Sequence, residues 1–319
     1  METENQNQVP EEAGMQQEQE LAAAQQKNYL PLSIVCAAVI LGGAWVYTTG
    51  LRPGDEGGSL EFAEDEGDAA GLEVAVLPAS AKLPATWGDL GKRMVEAGVI
   101  DKAKFEELYA SRGGLSAEDS KLLSGEGNGK LTITRENSGL LLNLLWALGL
   151  GNKNEILEKG PMSDASYGGA GNFASTGGWT VSKGDAMDHY SKYEFMKLTT
   201  EQQKKVENVS KGIYRPCCGN STYFPDCNHG MAMLGLLELM ASQGASEDEM
   251  YKAALKVNAY WFPDTYLAIA KYFENRGKSW SKVDPKEALG NGFSSSAGYR
   301  KVLQEVTPPA RQGGGGCGV

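Results

Sequence analysis

Cysteine and histidine are scarce in this chain, and most of them fall in one short segment. The 319 residues include five cysteines and two histidines, of which Cys217, Cys218, Cys227 and His229 lie in PCCGNSTYFPDCNH. Three thiols and one imidazole are enough to complete a tetrahedral zinc site, and cysteine thiolates also select monovalent copper. The spacing therefore predicts a soft-metal site, for copper or zinc, with these four residues as ligands.

Three further side chains belong to this prediction. Met231 and Met233 follow the histidine, and their thioethers would be auxiliary soft ligands. Cys317 lies in the Gly-rich C-terminal tail, where it would serve as an extra ligand or a resolving thiol. Methionines in an apolar helix are also ordinary core residues, so Met231 and Met233 have a purely structural interpretation as well. Cys36, in an apolar segment, is interpreted as a small apolar residue.

Two alternatives use the same cysteines. The adjacent pair Cys217 and Cys218 is not the C-x-x-C spacing of common zinc sites. Cys227 precedes an apolar helix, whose N-terminus lowers the pKa of a nearby thiol. This favours thiol–disulfide exchange, in which Cys227 attacks and one of the pair resolves. Outside the cytoplasm, one of the pair would instead form a structural disulfide with Cys227 in a surface protein. The sequence leaves all three hypotheses open.

The second histidine has no spacing signature. His189 lies in DAMDHYSKYEF, with Asp185 and Asp188 just before it. We expect a solvated histidine on an exposed helix.

The sequence does not indicate a nucleotide cofactor or nucleic-acid binding. No phosphate-binding or dinucleotide-binding glycine motif occurs in a usable context, so we expect no nucleotide cofactor. Residues 1–84 carry 14 acidic and 3 basic side chains, which leaves 27 of each sign in the rest of the chain, out of totals of 41 and 30. A domain without net positive charge is not expected to bind nucleic acid.

One segment has the length and composition of a membrane span. No charged residue occurs between Lys27 and Arg52, and the apolar run has aromatic residues at both ends. Residues 29–49 are long enough to cross about 30 Å of hydrocarbon, which predicts a single transmembrane helix in contact with lipid. The flanking charges do not decide the orientation. We expect the long C-terminal part to be exported, since the short N-terminal tail has no capacity to fold.

The remaining segments of the chain are predicted from their amino-acid composition. Residues 1–28 are acidic and Gln-rich and predict a disordered tail, and residues 50–83 predict an acidic, Gly-rich stalk, in which 72–78 is a candidate strand. Residues 84–308 predict a helical globular domain with the Cys/His cluster, and residues 309–319 predict a flexible tail. Residues 160–184 form one long Gly-rich loop, a feature that is functional or mobile in compact domains.

The fold class predicted for the domain is all-α. Capping residues at Thr86, Asp101 and Ser116 each precede a helical pattern, and residues 139–150 are apolar on nearly every face, which indicates a buried helix. Ser246 and Glu249 form a capping box. Further helices are predicted near 185–197, 200–212, 229–243, 247–259, 264–275 and 295–306.

The chain resembles a family of bacterial single-pass membrane-anchored proteins. The segments that carry the resemblance are WGDLGKRMVEAGVID, LLLNLLWALGLGNKNEIL, GGWT and PCC…CNHGMAMLGL, which span most of residues 84–275. No activity comes with the resemblance, but it implies a bacterial protein whose domain faces outward. We therefore expect a membrane-anchored, extracytoplasmic metal-handling or metal-sensing protein. Its protein partner and its status as an enzyme are left open.

Overall fold

The computed structural model describes residues 63–307, with side chains from residue 69 onward. This part of the chain is mainly helical, as predicted. Its elements in chain order are α1 (Ala63–Val76), β1 (Ala81–Gly88), α2 (Leu90–Ala97), α3 (Lys102–Ala110), α4 (Ala117–Ser124), β2 (Asn128–Ile133), α5 (Ser138–Gly151), α6 (Glu155–Lys159), α7 (Ala174–Gly177), α8 (Thr200–Lys211), α9 (Asn228–Ser242), α10 (Glu247–Trp261), α11 (Pro263–Glu274), α12 (Pro285–Leu289), α13 (Asn291–Ser294) and α14 (Ser296–Glu305).

A two-stranded antiparallel sheet departs from the all-α prediction. Strands β1 and β2 pair from Ala81 opposite Ile133 to Gly88 opposite Asn128. Side chains in β1 alternate between buried and more exposed positions, as expected for a strand with one face on the core. Pro84 obscures this pattern in the sequence because it cannot donate to the ladder, and the register shifts within the interval that contains it.

Most predicted helices and caps are confirmed. The side chains of Asp101, Ser116 and Ser246 accept backbone hydrogen bonds at the starts of α3, α4 and α10. The helix predicted after Thr86 instead begins at Leu90, because Thr86 belongs to β1. The helix predicted near 185–197 is reduced to a single 3₁₀ turn at Ala186–Asp188.

The folded domain includes residues before its predicted boundary at residue 84. Residues 63–76 form α1, so the predicted strand at 72–78 is mostly helix, and the predicted stalk reaches into the folded domain. Leu72, Val76 and Leu77 are buried in the core. The Tyr260 hydroxyl donates to the Pro78 carbonyl at 2.5 Å and so joins this segment to α10.

The membrane prediction falls outside the residues that the structure describes. Between residues 63 and 307, no helix combines the length and the apolar character that a membrane crossing requires. Four predicted segments lie outside this range: the membrane span at 29–49, the tail at 1–28, the start of the stalk, and residues 308–319.

Helices α5 and α9 form the centre of the core. Every side chain from Leu140 to Gly151 in α5 is buried, as is every one from His229 to Ala241 in α9. A methyl group on Gly149 would lie 2.1 Å from the Met231 carbonyl oxygen, and one on Gly235 would lie 2.4 Å from that of Leu145. The two helices therefore touch backbone to backbone, which only glycine permits at these positions.

The Gly-rich segment 160–184 is folded onto the domain rather than being one open loop. It contains 3₁₀ turns and the short helix α7. Trp179 is buried and donates its indole N–H to the Val99 carbonyl at 2.8 Å, and the Trp146 indole of α5 donates to Ser175 at 2.7 Å. These bonds fix the second half of the segment to the core.

A carboxylate is buried in the middle of α9. Glu238 is fully buried; its Oε1 accepts a hydrogen bond from the Asn154 amide, whereas its Oε2 has no hydrogen-bond partner in the described part of the chain. Burial raises the pKa of Glu238 from 4.5 to about 8, although the Asn154 bond opposes the rise. At neutral pH the carboxyl group is therefore mainly protonated in the folded protein.

Glu238 makes the stability of the domain depend on pH. The folded state keeps this proton at pH values where the unfolded chain has lost it, so its stabilising contribution is complete below pH 4.5 and is lost as pH rises to about 8. Replacing Glu238 with Gln should remove a slope of about 1.4 kcal/mol per pH unit between roughly pH 5 and 8. Denaturant unfolding of the full chain at several pH values measures this slope. Exposed Glu107→Gln is the control, and an equal slope in all three proteins would contradict the prediction.

Candidate metal centre

The cysteine loop, residues 213–227, joins α8 to α9 and is anchored at several points. Tyr214 donates its backbone N–H to Leu289 at 2.8 Å, and Thr222 donates its own to Ile213 at 2.8 Å, which closes the loop on itself. The backbone N–H of Ser296, in the first turn of α14, donates to the Cys218 carbonyl at 3.0 Å. The loop is therefore held by backbone bonds to itself and to distant parts of the fold.

This loop brings the three predicted thiols together. The sulfur atoms of Cys217, Cys218 and Cys227 all lie within 4.8 Å of one another, and the Cys217 and Cys227 sulfurs are 3.6 Å apart. All three are free thiols, since a disulfide bond is only about 2.05 Å long. Cys217 is exposed, whereas Cys218 and Cys227 are half-buried. The cluster thus has one solvent-facing member.

A buried arginine lies directly behind the cluster. Arg215 is only 2% exposed, and its Nε donates to the Cys227 sulfur at 2.9 Å. Its two terminal nitrogens donate to the backbone carbonyls of Asn220 and Phe224, and one of them also pairs with the Asp226 carboxylate. A charge removed from water needs such partners. The guanidinium therefore fixes the loop and supplies a positive charge to Cys227.

Cys227 has the depressed pKa within the cluster. Hydrogen bonds from the Cys217 and Cys218 thiols lower the pKa of Cys227 well below its ordinary value, and His229 and the charge of Arg215 lower it further, against the opposing effect of burial. The sequence predicted a lowered pKa at this helix terminus. Cys227 is the N-cap residue of α9, but the neighbouring thiols are the larger cause.

The other two thiols shift in the opposite direction. Hydrogen bonding with Cys218 and then with Cys227 raises the pKa of Cys217. For Cys218, the bond with Cys217 lowers the pKa, but the bond with Cys227 and burial outweigh it, so the net shift is upward. Cys227 is therefore the thiol of the cluster that loses its proton most readily.

His229 lies beside the cluster and is oriented by aromatic rings. Its ring centroid is 4.4 Å from that of Phe262 and 5.7 Å from that of Trp261, and the residue is only 5% exposed. Interaction with its side chain lowers the pKa of the Cys227 thiol. Among the described residues, the group whose ligand atoms all lie within 4.8 Å of one another contains the three cysteines and not His229.

The predicted auxiliary ligands Met231 and Met233 lie in the hydrophobic core. Met231 and Met233 are 0% and 1% exposed and belong to the hydrophobic core of the domain, where Met231 lies at the contact of α9 with α5. Core packing accounts for their burial. Cys317 and Cys36 lie outside the described residues.

The prediction for His189 is wrong. The residue is 5% exposed rather than solvated, and it follows a 3₁₀ turn rather than lying on an exposed helix. Its two ring nitrogens are hydrogen-bonded to the Tyr193 hydroxyl at 2.8 Å and to the Lys183 carbonyl at 2.7 Å. These bonds satisfy the imidazole within its own part of the fold, so His189 has a structural role.

The Gly-rich segment forms one wall beside the cysteine loop. The backbone N–H of Ser175 donates to the Asp226 carbonyl at 3.1 Å. Tyr167 and Phe173 of the same segment pack with Phe224 of the cysteine loop, with ring centroids 5.3–5.5 Å apart in all three pairs. The structure therefore gives the segment a definite position next to the candidate site.

The geometry of the cluster fits a thiophilic ion. Zinc–thiolate bonds are about 2.3 Å long, which places neighbouring sulfurs about 3.8 Å apart in a tetrahedral site and about 4.0 Å apart in a planar three-coordinate one. The Cys217 and Cys227 sulfurs, 3.6 Å apart, are close to these values, and no two of the three sulfurs are more than 4.8 Å apart. Small side-chain rotations therefore suffice for all three sulfurs to bind one ion.

The fold and the cluster together define a mainly helical domain with a three-thiol site supported by a buried arginine. No protein-family model, curated protein or solved structure matches this chain. The resemblance to bacterial membrane-anchored proteins stays a prediction.

The sequence analysis missed Arg215, Asp226 and Asn220, which form the polar support of the cluster. Asp226 accepts the guanidinium on one oxygen and the Asn220 amide, at 2.8 Å, on the other. The available signal was the position of Arg215 and Asp226 close to the cysteines at the two ends of the loop. Two opposite charges at the ends of a short loop of candidate ligands therefore indicate an ion pair that closes the loop.

Arg215 should hold Cys227 in its thiolate form. Replacing Arg215 with Met removes the adjacent positive charge and should raise the pKa of Cys227. The pH dependence of Cys227 alkylation, followed by peptide mass spectrometry on the reduced full chain, measures the shift. Arg215→Lys keeps the charge and should give a smaller shift, which covers the case in which the Met variant does not fold. Exposed Arg300→Met should cause none, and an unchanged midpoint in both Arg215 variants would contradict the assignment.

Proposed function

We propose that this protein is anchored in a membrane by residues 29–49 and holds a soft metal ion, copper or zinc, at the cysteine cluster of an extracytoplasmic helical domain. It would act in metal handling or sensing at the cell surface. The observation that supports the metal site most directly is the mutual approach of the Cys217, Cys218 and Cys227 sulfurs to within 4.8 Å. The uninterrupted apolar segment supports the anchor.

The surroundings of the cluster are consistent with a bound cation held by thiolates. Three thiolates around a copper or zinc ion leave a net negative charge, and the Arg215 guanidinium, 2.9 Å from the Cys227 sulfur, offsets part of it. Cys217 is exposed, so an ion has access from solvent without unfolding of the loop. Metal binding displaces the thiol protons, so affinity should rise with pH.

Elemental analysis and free-thiol counting on the purified full chain test the metal site. We expect about one copper or zinc ion per chain in the wild type and in Cys36→Ser, and a loss of most of it in Cys227→Ser, because a missing thiolate lowers the affinity of a three-ligand site steeply. Absence of metal from the wild type after anaerobic loading with either ion would contradict the proposal.

A second candidate, thiol–disulfide exchange, is supported by the low pKa of Cys227 next to the exposed Cys217. The Cys227 thiolate would attack one sulfur of a substrate disulfide and release the other half as a thiolate. Cys217 would then lose its proton and attack the Cys227 sulfur, forming a Cys217–Cys227 disulfide and releasing the second half of the substrate, now reduced.

This candidate predicts turnover of a model disulfide with a dithiol reductant by the metal-free protein. A stapling disulfide in a structural protein predicts no turnover and a lower melting temperature under reductant.

Cell fractionation tests the membrane anchor and its orientation. Bacteria that express the full chain should retain it in carbonate-washed membranes, whereas deletion of residues 29–49 should move it to the soluble fraction. In a Cys317→Ser background, a membrane-impermeant maleimide should label Cys217 in intact cells, and Cys217→Ser should lose most of the label. Labelling only after lysis would place the domain inside the cytoplasm.

A further inference from the structure

Among the residues that the structure describes, the cysteine cluster offers three sulfur ligands, and the two other groups considered beside it, His229 and Asp226, make different contacts. Within residues 63–307, the atoms able to ligate together are the sulfurs of Cys217, Cys218 and Cys227. Structural zinc sites in proteins almost always have four ligands. The fourth ligand is therefore the feature that decides between zinc and a three-coordinate ion.

His229 is the first candidate for that position, but its ring is held by other contacts. It packs against Phe262, at 4.4 Å between centroids, and against Trp261. It is two residues from Cys227 in the chain, but its ring nitrogens fall outside the group whose ligand atoms are all within 4.8 Å of one another. The imidazole is therefore positioned to hydrogen-bond to a ligand sulfur rather than to bind the ion itself.

Asp226 is the second candidate, and both of its oxygens are occupied. Oδ1 accepts from the Arg215 guanidinium, and Oδ2 accepts from the Asn220 amide at 2.8 Å. A carboxylate is also a hard ligand, which suits zinc better than it suits monovalent copper. Recruiting Asp226 would leave the buried charge of Arg215 without its counter-ion, which is costly.

We infer that the ion is monovalent copper, bound by Cys217, Cys218 and Cys227 in three-coordinate geometry, with His229 and Asp226 outside the coordination sphere. This inference rests on the proposed metal-binding function. Monovalent copper has a filled d shell and accepts three thiolates in a plane, and soft thiolates select it. A planar site requires sulfurs about 4.0 Å apart. The Cys217 and Cys227 sulfurs are 3.6 Å apart, and all three lie within 4.8 Å of one another.

The exposure of the three ligands indicates how the ion is exchanged. Cys217 is exposed, whereas Cys227 is fixed by Arg215 behind the cluster. A low-coordinate copper ion exchanges by associative attack of an incoming thiolate, and Cys217 is the ligand that such a thiol donor can reach and replace. Copper is thus transferred between thiol carriers as the monovalent ion, with no change of oxidation state.

Competition binding on the reduced full chain tests the inference. Monovalent copper is titrated against a chromophoric copper chelator, and Zn²⁺ against a chromophoric zinc chelator, in the wild type and in Cys217→Ser, Cys227→Ser and His229→Gln. We expect one copper ion per chain, a loss of copper affinity of well over 100-fold in each cysteine variant, and a smaller loss of about 10-fold in His229→Gln, because the histidine change removes a partner of a ligand and not a ligand itself. X-ray absorption of the copper-loaded wild type should show three sulfur neighbours and no nitrogen neighbour.

The outcomes separate this inference from the function on which it rests. Tight Zn²⁺ binding that His229→Gln weakens by 100-fold, or a nitrogen neighbour in the copper spectrum, would leave the metal function in place and overturn three-coordinate copper. Binding of neither ion would overturn both. If His229→Gln does not fold, His229→Phe preserves the ring packing on Phe262 without a ligand nitrogen, and the spectrum of the wild type decides independently of any variant.

Discussion

The direct contact between the backbones of α5 and α9 fixes most of this domain. At Gly149 and Gly235 neither helix has space for a methyl group, so the two helices approach each other without intervening side chains. Because Cys227 caps α9 and His229 lies in its first turn, the same contact determines where the cluster sits relative to the core. Glu238 lies further along the same helix. Cys227, His229 and the buried acid are thus carried by one helix of this pair.

Arg215 extends this arrangement into the loop. A methyl group on Gly230 would lie 2.6 Å from the guanidinium carbon, so Arg215 packs directly on the backbone of the first turn of α9. A buried cation in this position requires anionic partners, and it has Asp226 on one side and the Cys227 sulfur on the other. The guanidinium charge therefore both fixes the loop and favours loss of the proton from Cys227. Substitution of Gly230 would disturb the cluster without altering any thiol.

The sequence predicts some of these features and not others for physical reasons. Cys217 and Cys227 are joined by a short loop, so their closeness follows from chain length, and the apolar run of α5 has no face for water, so its burial follows from composition. The partners of Arg215 lie within its own loop, but the spacing of residues does not specify which of them the folded loop brings to the guanidinium. The burial of His189 depends on how the rest of the domain packs around it. In β1, Pro84 masks a true alternation. The membrane segment and Cys317 stay predictions, because they lie outside the described residues.

The hydrogen bond between the Gly-rich segment and the cysteine loop positions the two segments without involving any side chain. Ser175 meets Asp226 through main-chain atoms on both sides, so the connection does not depend on which side chains the segment carries. Related chains would therefore be free to diverge in the aromatic wall formed by Tyr167 and Phe173 while they keep the ligand loop in place.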